Sequence, residues 1–161
     1  QTCALPILRP FKVGDFVTIG GVTGTVQELG LFCTTVVTPD NVMTLVGNGK
    51  VFGDTVQNYT ALPLRRVDRT AQLAGGVDVG DAMRRFREAV TAIPNVSTQR
   101  PPEVSILDLN GLGPVIAVRP YCHNDHYWQV HADTNQAILR VAAEAGWPAP
   151  TPATLTRVVQ A

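Results

Sequence analysis

The sequence has no long apolar segment, which excludes a membrane-spanning helix within its 161 residues. No stretch approaches the roughly 20 apolar residues that cross a bilayer. Residues 4–8 are apolar, but the segment is far too short and contains Pro6. The N-terminus also lacks a basic region followed by an apolar one, so no secretory signal is predicted. Residues 1–7 differ in character from the rest of the chain, and we expect them to be a cloning or sequencing remnant, with the natural chain continuing upstream.

The sequence also has no excess of positive or negative charge and few cysteines. The 13 Lys and Arg residues balance 13 Asp and Glu residues, so the net charge is zero. A general nucleic-acid binder needs a basic surface that displaces counterions, so the zero net charge argues against this function. It also gives no support for docking on anionic lipid. The three cysteines are a poor disulfide framework and indicate a reducing compartment. Hydrophobic residues make up 45% and charged residues 16%, which is typical of a folded chain with a core.

Motifs for catalysis, phosphate binding and metal binding are incomplete. Residues 47–50 fail the Walker A pattern because Val51 follows Lys50 and Thr44 stands where a glycine is required, so we interpret them as a tight turn between strands. Neither of the two serines lies in a G-x-S-x-G motif. One cluster resembles a zinc site but lacks a second cysteine pair, and we interpret it as a loop and the start of a surface helix. Its members are Cys122, His123, His126 and His131. We therefore predict no catalytic residue, cofactor or metal.

Residues 9–62 have the pattern of a β domain. Apolar residues alternate with polar ones in short runs that are separated by Gly, Asn and Asp. The predicted strands lie around Val17 and Ile19, from Val22 to Val26, and at residues 34–37, 43–46 and 56–59, with turns at Gly20-Gly21 and Asn48-Gly49. Five short strands in about 50 residues predict a small barrel or sandwich. Of the two, we expect a small SH3/Sm-like barrel.

Residues 63–150 have an α+β pattern. The predicted elements are a strand at 64–74, a helix at 78–93 capped by Asp78, strands at 103–109 and 115–121, and a helix at 127–145 that ends at Gly146. The order βαββα predicts a ferredoxin-like layer. Residues 151–161 are predicted to be a proline-rich extension with a short C-terminal strand at 154–159.

Several motifs resemble those of the small-conductance mechanosensitive (MscS-like) channel family. R-P-F-K-V-G-D at residues 9–15 is similar to the family's R-P-F-x-x-G-D/E signature, and G-G-V-T-G-T-V at 20–26 to its G-x-x-G-x-V. V-G-N-G-K at 46–50 resembles I-P-N-G-x, with Gly47 in place of Pro, and N-Y-T at 58–60 resembles N-F/Y-S. The C-terminal A-G-W-P-A-P at 145–150 resembles A-G-I-x-x-P-x-P more loosely. The resemblance marks these structural turns: Gly14, Asp15, Gly20, Gly21, Gly24, Asn48, Gly49 and Asn58.

The resemblance implies a channel part rather than an enzyme. Residues 1–8 would then be a remnant or the end of a pore helix, and membrane helices would precede them. Members of the family are homoheptamers in which β domains form a ring below the pore, α/β domains enclose a vestibule, and the last strands form a parallel barrel. The resemblance therefore implies a site in the inner (plasma) membrane, with this segment on the cytoplasmic side. Ions and small osmolytes would pass when tension opens the pore.

Two other functions remain as alternatives. A stand-alone Sm/SH3-like nucleic-acid-binding module needs a basic face, but the β domain has more acids than bases. Its cations are Arg9, Lys12 and Lys50, against Asp15, Glu28, Asp40 and Asp54. The second alternative is a small zinc-dependent enzyme built on the Cys122 cluster. Stoichiometric zinc in purified protein, lost on mutation of His126, would support it.

Overall fold

The computed structural model describes residues 10–152. These fall into two compact units, one that ends at Pro63 and one that begins at Leu64. The predictions for residues 1–8 and for the strand at 154–159 concern chain outside the described residues. No helix within residues 10–152 is long and apolar enough to cross a membrane.

The first unit is a five-stranded antiparallel sheet with the order β4-β3-β2-β1-β5. Its elements are β1 (Phe16–Ile19), β2 (Val22–Leu29), β3 (Cys33–Val37), β4 (Met43–Gly47), a short helix α1 (Asn48–Gly53) and β5 (Gln57–Asn58). Gly20 and Gly21 join β1 to β2 with positive φ angles of 54° and 84°. Such angles are available to glycine without steric cost and match the twist of a two-residue hairpin.

The core of the first unit follows the alternation of the strands. Val17 and Ile19 in β1, Val26 in β2 and Val36 in β3 are buried on one face of the sheet. In β4, Val46 is buried while Met43 and Leu45 are exposed. This is the period of two expected for strands with one buried face.

One predicted turn in this unit is wrong. Asn48 and Gly49 do not connect two strands in a hairpin; they begin helix α1, which runs to Gly53. The reason is tertiary packing, because the helix places Val51 fully within the core. Burial of this side chain outweighs the local preference of an Asn-Gly pair for a tight turn.

The second unit combines two small sheets with two long helices. Its elements are β6 (Arg65–Arg66), β7 (Arg69–Gln72), α2 (Val79–Thr91), β8 (Glu103–Asn110), β9 (Gly113–Arg119), β10 (Tyr121–Cys122), a 3-10 turn (Asn124–His126) and α3 (Tyr127–Glu144). One sheet has the order β7-β9-β8, and β6 pairs with β10 in the other. Since β9 is antiparallel to both neighbours, β7 and β8 run parallel and are connected through α2.

The prediction of one strand at residues 64–74 is wrong, because the segment contains two strands in different sheets. β6 pairs with β10, whereas β7 pairs with β9. Between them the backbone N–H of Val67 donates to the carbonyl of Pro120 at 2.9 Å, and the Val67 side chain is fully buried. Burial of this residue redirects the chain, which a pattern of alternating polarity does not show.

Both long helices are predicted by the sequence, and the structure confirms them. Asp78 caps α2, since its Oδ1 accepts a 3.0 Å hydrogen bond from the backbone N–H of Asp81. Phe86 and Val90 are buried with Ile116 in the core of the unit. Helix α3 ends next to Gly146, whose φ of 64° suits a left-handed C-cap. The β-rich α+β class is likewise as predicted, and the strands pair antiparallel in all three sheets.

Candidate functional site

The side chains considered for chemistry are not assembled into a catalytic or metal centre in the part of the chain that the structure describes. Cys122 is buried in β10, and burial raises the pKa of its thiol, which disfavours the reactive thiolate. His123 precedes the 3-10 turn, His126 is its last residue, and both are exposed. Among residues 10–152, no three His, Cys, Asp or Glu side chains are grouped so as to hold a metal ion.

His131 is separate from that cluster and belongs to a contact between α3 and β7. Arg69 lies with its Nη1 3.1 Å from His131 Nε2, and its Nε donates to Asn135 Oδ1 at 2.7 Å. Because a guanidinium only donates, His131 Nε2 is the acceptor and the ring is neutral in this contact. Desolvation, and then the charge of Arg69, lower the pKa of His131. These contacts connect helix α3 to strand β7. They do not present a nucleophile or a base to a cavity.

Asp15 forms the centre of a hydrogen-bonded joint in the first unit. It is a carboxylate residue, yet it is only 5% exposed. Asp15 Oδ2 accepts hydrogen bonds from the backbone N–H of Lys12 at 3.1 Å and from Asn58 Nδ2 at 2.8 Å. Buried charges are stable only when they are paired or hydrogen-bonded. The contact with β5 therefore fixes the loop that leads into β1.

Asn58 extends the same joint in both directions along the chain. Its Nδ2 also donates to the carbonyl of Pro10 at 3.2 Å. Its Oδ1 accepts from the backbone N–H groups of Thr60 at 2.9 Å and Ala61 at 3.0 Å. One amide thus connects the first described residue of the unit to residues near its end. We name the contacts of Asp15 and Asn58 the Asp15–Asn58 joint.

Asn48 forms a second polar contact set, which holds the loop between β2 and β3. Its Nδ2 donates to the carbonyls of Gly30 and Leu31, both at 2.9 Å, and its Oδ1 accepts from the Thr34 hydroxyl at 3.0 Å. The Asn48 backbone N–H donates to the carbonyl of Phe32 at 2.9 Å. The loop is therefore fixed although its apolar side chains are exposed to solvent.

Glycines permit close approaches and unusual angles at the other signature positions. Gly14, with φ of 93°, donates its N–H to the carbonyl of Val26 at 2.8 Å, beside the joint. At Gly24 a Cβ atom would lie 2.3 Å from the carbonyl oxygen of Val37, so a side chain does not fit. Gly49 lies in α1, where a Cβ would meet open space.

An exposed apolar groove of about 560 Å³ lies beside these contacts. Phe11 and Val13 line it near the start of the unit, and Leu31 and Phe52 also line it. Leu31 is 73% exposed, and its neighbour Phe32 is 82% exposed. Large apolar groups held rigidly in solvent are typical of surfaces that contact another protein segment.

The sequence motifs mark Asp15, Asn48 and Asn58 as turn residues, but they do not predict the hydrogen bonds of these side chains. Asp15 and Asn48 are predicted as turn residues, while the structure shows their side chains bonded to distant groups. The Arg69–His131 contact is not predicted by the sequence patterns. The residue type is the signal in the sequence that could have indicated these contacts. Asp and Asn side chains among apolar strands need hydrogen-bond partners when they are buried.

Known proteins are similar to this chain in sequence and in fold. Residues 4–61 match the family described as "Mechanosensitive ion channel, beta-domain". The small-conductance mechanosensitive channel of Edwardsiella ictaluri is 30% identical over 148 residues, which cover 91% of this chain and 52% of the relative. The chain thus spans about half the length of this curated relative.

Solved structures agree on the fold. The closed-state crystal structure of Helicobacter pylori MscS matches with a TM-score of 0.86 at 20% identity, over 98% of this chain and 62% of that one. The cryo-EM structure of Arabidopsis thaliana MSL1 matches with a TM-score of 0.67 at 16% identity, over 86% of this chain and 52% of that one. The sequence matches show that residues 4–61 belong to the mechanosensitive ion channel β-domain family and that the chain is similar to MscS-family channels, and the solved structures show the same fold.

Proposed function

We propose that the chain is the cytoplasmic vestibule portion of a mechanosensitive channel subunit in the inner (plasma) membrane. The full-length subunit opens under membrane tension and releases ions and small osmolytes on hypoosmotic shock. The observation that carries the proposal is the 30% identity to a small-conductance mechanosensitive channel over 91% of this chain. The vestibule needs neither a catalytic residue nor a cofactor for this role.

The Asp15–Asn58 joint supports a mechanical role at the start of the first unit. In the proposal, membrane helices precede residue 10, where the chain enters the unit. The carbonyl of Pro10 is bonded to Asn58, and Asn58 is bonded to the buried carboxylate of Asp15. A displacement of the incoming chain is therefore resisted by β5 and by the loop before β1. The exposed apolar groove next to this point is suited to receive membrane-near segments.

We further propose the finer architecture that the family resemblance implies. Residues 9–62 are an SH3/Sm-like barrel domain, residues 63–150 a ferredoxin-like domain, and residues 151–161 a C-terminal strand in a shared barrel. The five-stranded antiparallel sheet supports the first proposal. The parallel pair β7 and β8, separated by β9 and connected through α2, is a split βαβ arrangement and supports the second. The subunit is a homoheptamer in this proposal, and the eight signature residues form its structural turns and joints.

Survival of hypoosmotic shock tests the physiological role. The full-length subunit is expressed in a bacterial host that lacks its own mechanosensitive channels, and cells are diluted rapidly from high to low osmolarity. We expect survival well above that of the empty-vector host. A Gly24→Asp subunit serves as the matched control, because its side chain would collide with the backbone of β3 and disrupt the first unit. Survival equal to the empty vector, with the subunit present in the membrane, would reject the proposed role.

A further inference from the structure

The chain crosses twice between the two sheets of the second unit. Strand β6 of the two-stranded sheet continues into β7 of the three-stranded sheet through Val67 and Asp68. Strand β9 of the three-stranded sheet continues into β10 of the other through Pro120. Charged side chains from both sheets surround these crossings, and we name them, together with one tyrosine, the boundary cluster. Its members are Arg66, Asp68, Arg100, Glu103, Arg119 and Tyr121.

Asp68 is the first centre of the boundary cluster. Its Oδ1 lies 3.1 Å from Nε of Arg66 and 2.7 Å from Nε of Arg119. Arg66 belongs to β6 and Arg119 to β9. One carboxylate therefore connects a strand of the two-stranded sheet to a strand of the three-stranded sheet by charge-assisted contacts.

Glu103, at the start of β8, is the second centre. Its Oε2 lies 3.6 Å from Nη1 of Arg66, and its Oε1 lies 3.7 Å from Nη2 of Arg100. The same Oε1 accepts a hydrogen bond from the hydroxyl of Tyr121 in β10. The guanidinium carbon of Arg100 is 4.1 Å from the centroid of the Tyr121 ring, which is a cation–π contact. Glu103 thus connects β8 to both strands of the two-stranded sheet.

The boundary cluster is an internal connection and not an anion site. Each of its three guanidinium groups lies 2.7–3.7 Å from a carboxylate oxygen of the cluster. An anion would have to displace Asp68 or Glu103 to reach two of these arginines together. An isolated surface ion pair contributes little to stability, whereas a network with shared partners holds several side chains at once.

Two kinds of contact hold the sheets together, and salt acts on one of them. The charged side chains are reached by water, since their exposed fractions run from 26% for Arg119 to 59% for Arg100. The distance over which such charges act falls from about 10 Å at about 0.1 M salt to about 3 Å at about 1 M. Val67 is fully buried and Tyr121 is 4% exposed, and burial is not screened in this way.

Glu103 keeps its charge at neutral pH, so ionic strength and not pH is the variable. The hydrogen bond from Tyr121 has the largest effect and lowers the pKa of Glu103, while desolvation opposes it. The positive charges of Arg66, Arg100 and Arg119 lower this pKa further. The carboxylate therefore remains a partner for the arginines over the whole range in which cells operate.

We propose that the boundary cluster is a joint between the two sheets whose stiffness depends on ionic strength. The ion pairs couple the sheets firmly in dilute salt and weakly in concentrated salt, while Val67 and Tyr121 keep the sheets in place in both. The physiological meaning rests on the proposed function, although the salt response itself does not. In a channel that releases ions, the ionic strength around the second unit falls as ions leave, and the joint stiffens.

Hydrogen exchange of the full-length subunit in detergent, read by mass spectrometry of peptides, tests the proposal. Exchange is measured in about 0.05 M and about 1 M KCl, across the range in which screening becomes strong. We expect the peptides of β6, β8 and β10 to exchange about threefold faster or more at the higher concentration. The peptides of β1 and β2 in the first unit should change less. No acceleration, or an equal one in both units, would overturn the proposal.

Glu103→Gln isolates the charge, because the amide oxygen still accepts from Tyr121. Its β8 and β10 peptides should lose most of the salt response. The matched control is Asp81→Asn on α2, since Asp81 also pairs with two arginines, Arg84 and Arg85. This control should keep the full response of β6, β8 and β10.

The comparison of the two variants decides the outcome. Equal salt responses in Glu103→Gln and Asp81→Asn would overturn the proposal. Asp68→Asn tests the same claim through the other carboxylate if Glu103→Gln does not fold, and an undiminished response in it would be equally decisive. Stretch-evoked current is recorded separately. Its absence with an intact salt response would reject the proposed channel function and leave the joint standing.

Discussion

Replacement of Asn58 by alanine should weaken the first unit far more than its position near the surface suggests. The change removes the donor to the buried carboxylate of Asp15 and the acceptor for the backbone of Thr60 and Ala61. A hydrogen bond to a charged group is worth about 1.5–3 kcal/mol, and a neutral one about 1 kcal/mol. The bonds to Pro10 and Ala61 are exposed, and water replaces them at little cost. We therefore expect Asn58→Ala to lower the free energy of unfolding by about 2–4 kcal/mol.

The neighbouring variant Gln57→Ala is the matched control. Gln57 is exposed, and its described side-chain bond is the one it accepts from the Tyr59 hydroxyl. Its loss should cost less than about 0.5 kcal/mol, as is usual for surface substitutions. The two variants differ by one position in the same strand, so a general effect of altering β5 would appear in both.

Native-state hydrogen exchange, read by mass spectrometry of peptides, measures the effect within the first unit. We expect Asn58→Ala to accelerate exchange in the peptides of β1, β2 and β5, and to leave those of α2 and α3 unchanged. Both tryptophans, Trp128 and Trp147, lie in the second unit, so their fluorescence reports its unfolding separately. Exchange in Asn58→Ala equal to that in Gln57→Ala would refute the account of the Asp15–Asn58 joint.

Three further predictions concern other contacts. Asn48→Ala removes three side-chain hydrogen bonds, so it should speed hydrogen exchange in the loop between β2 and β3 and lower the free energy of unfolding by about 1–2 kcal/mol. Unchanged exchange in this loop would contradict the prediction. Gly24→Ala should lower the free energy of unfolding, measured in urea, by at least about 2 kcal/mol. Gly47→Ala should leave it nearly unchanged, because its Cβ meets open space. Equal effects of the two changes would contradict the packing argument. Since the pKa of His131 is lowered in the folded state, the unfolded chain binds more protons, and stability should fall as the pH drops through about 6.5. His131→Gln lacks this proton uptake, so its thermal midpoint should fall less than that of the unaltered protein between about pH 7.5 and pH 5.5. An equal fall in both proteins would contradict the prediction.

The regular elements are predictable because their periodicity is local. The apolar spacing of Phe86 and Val90 fixes the buried face of α2, and the alternation of Val17 and Ile19 fixes that of β1. The exceptions depend on contacts far along the chain. Helix α1 forms because Val51 fills the core, and the segment at 64–74 divides because Val67 is buried and bonded to the carbonyl of Pro120.

The functional contacts are less predictable for the same reason. Asp15 and Asn58 are 43 residues apart, and Arg69 and His131 are 62 apart. No spacing rule for helices or strands connects positions at such distances. Residue types indicate that partners are needed, and only the fold identifies them.

The central claim is that this chain forms part of a tension-gated channel. Patch recording from membranes of a host that lacks mechanosensitive channels, with the full-length subunit expressed, tests it most directly. Suction applied to the patch should evoke step-like currents that are absent from the empty-vector host and that increase with tension. If the subunit is present in the membrane as an oligomer and stretch evokes no current beyond that of the host, the account is contradicted.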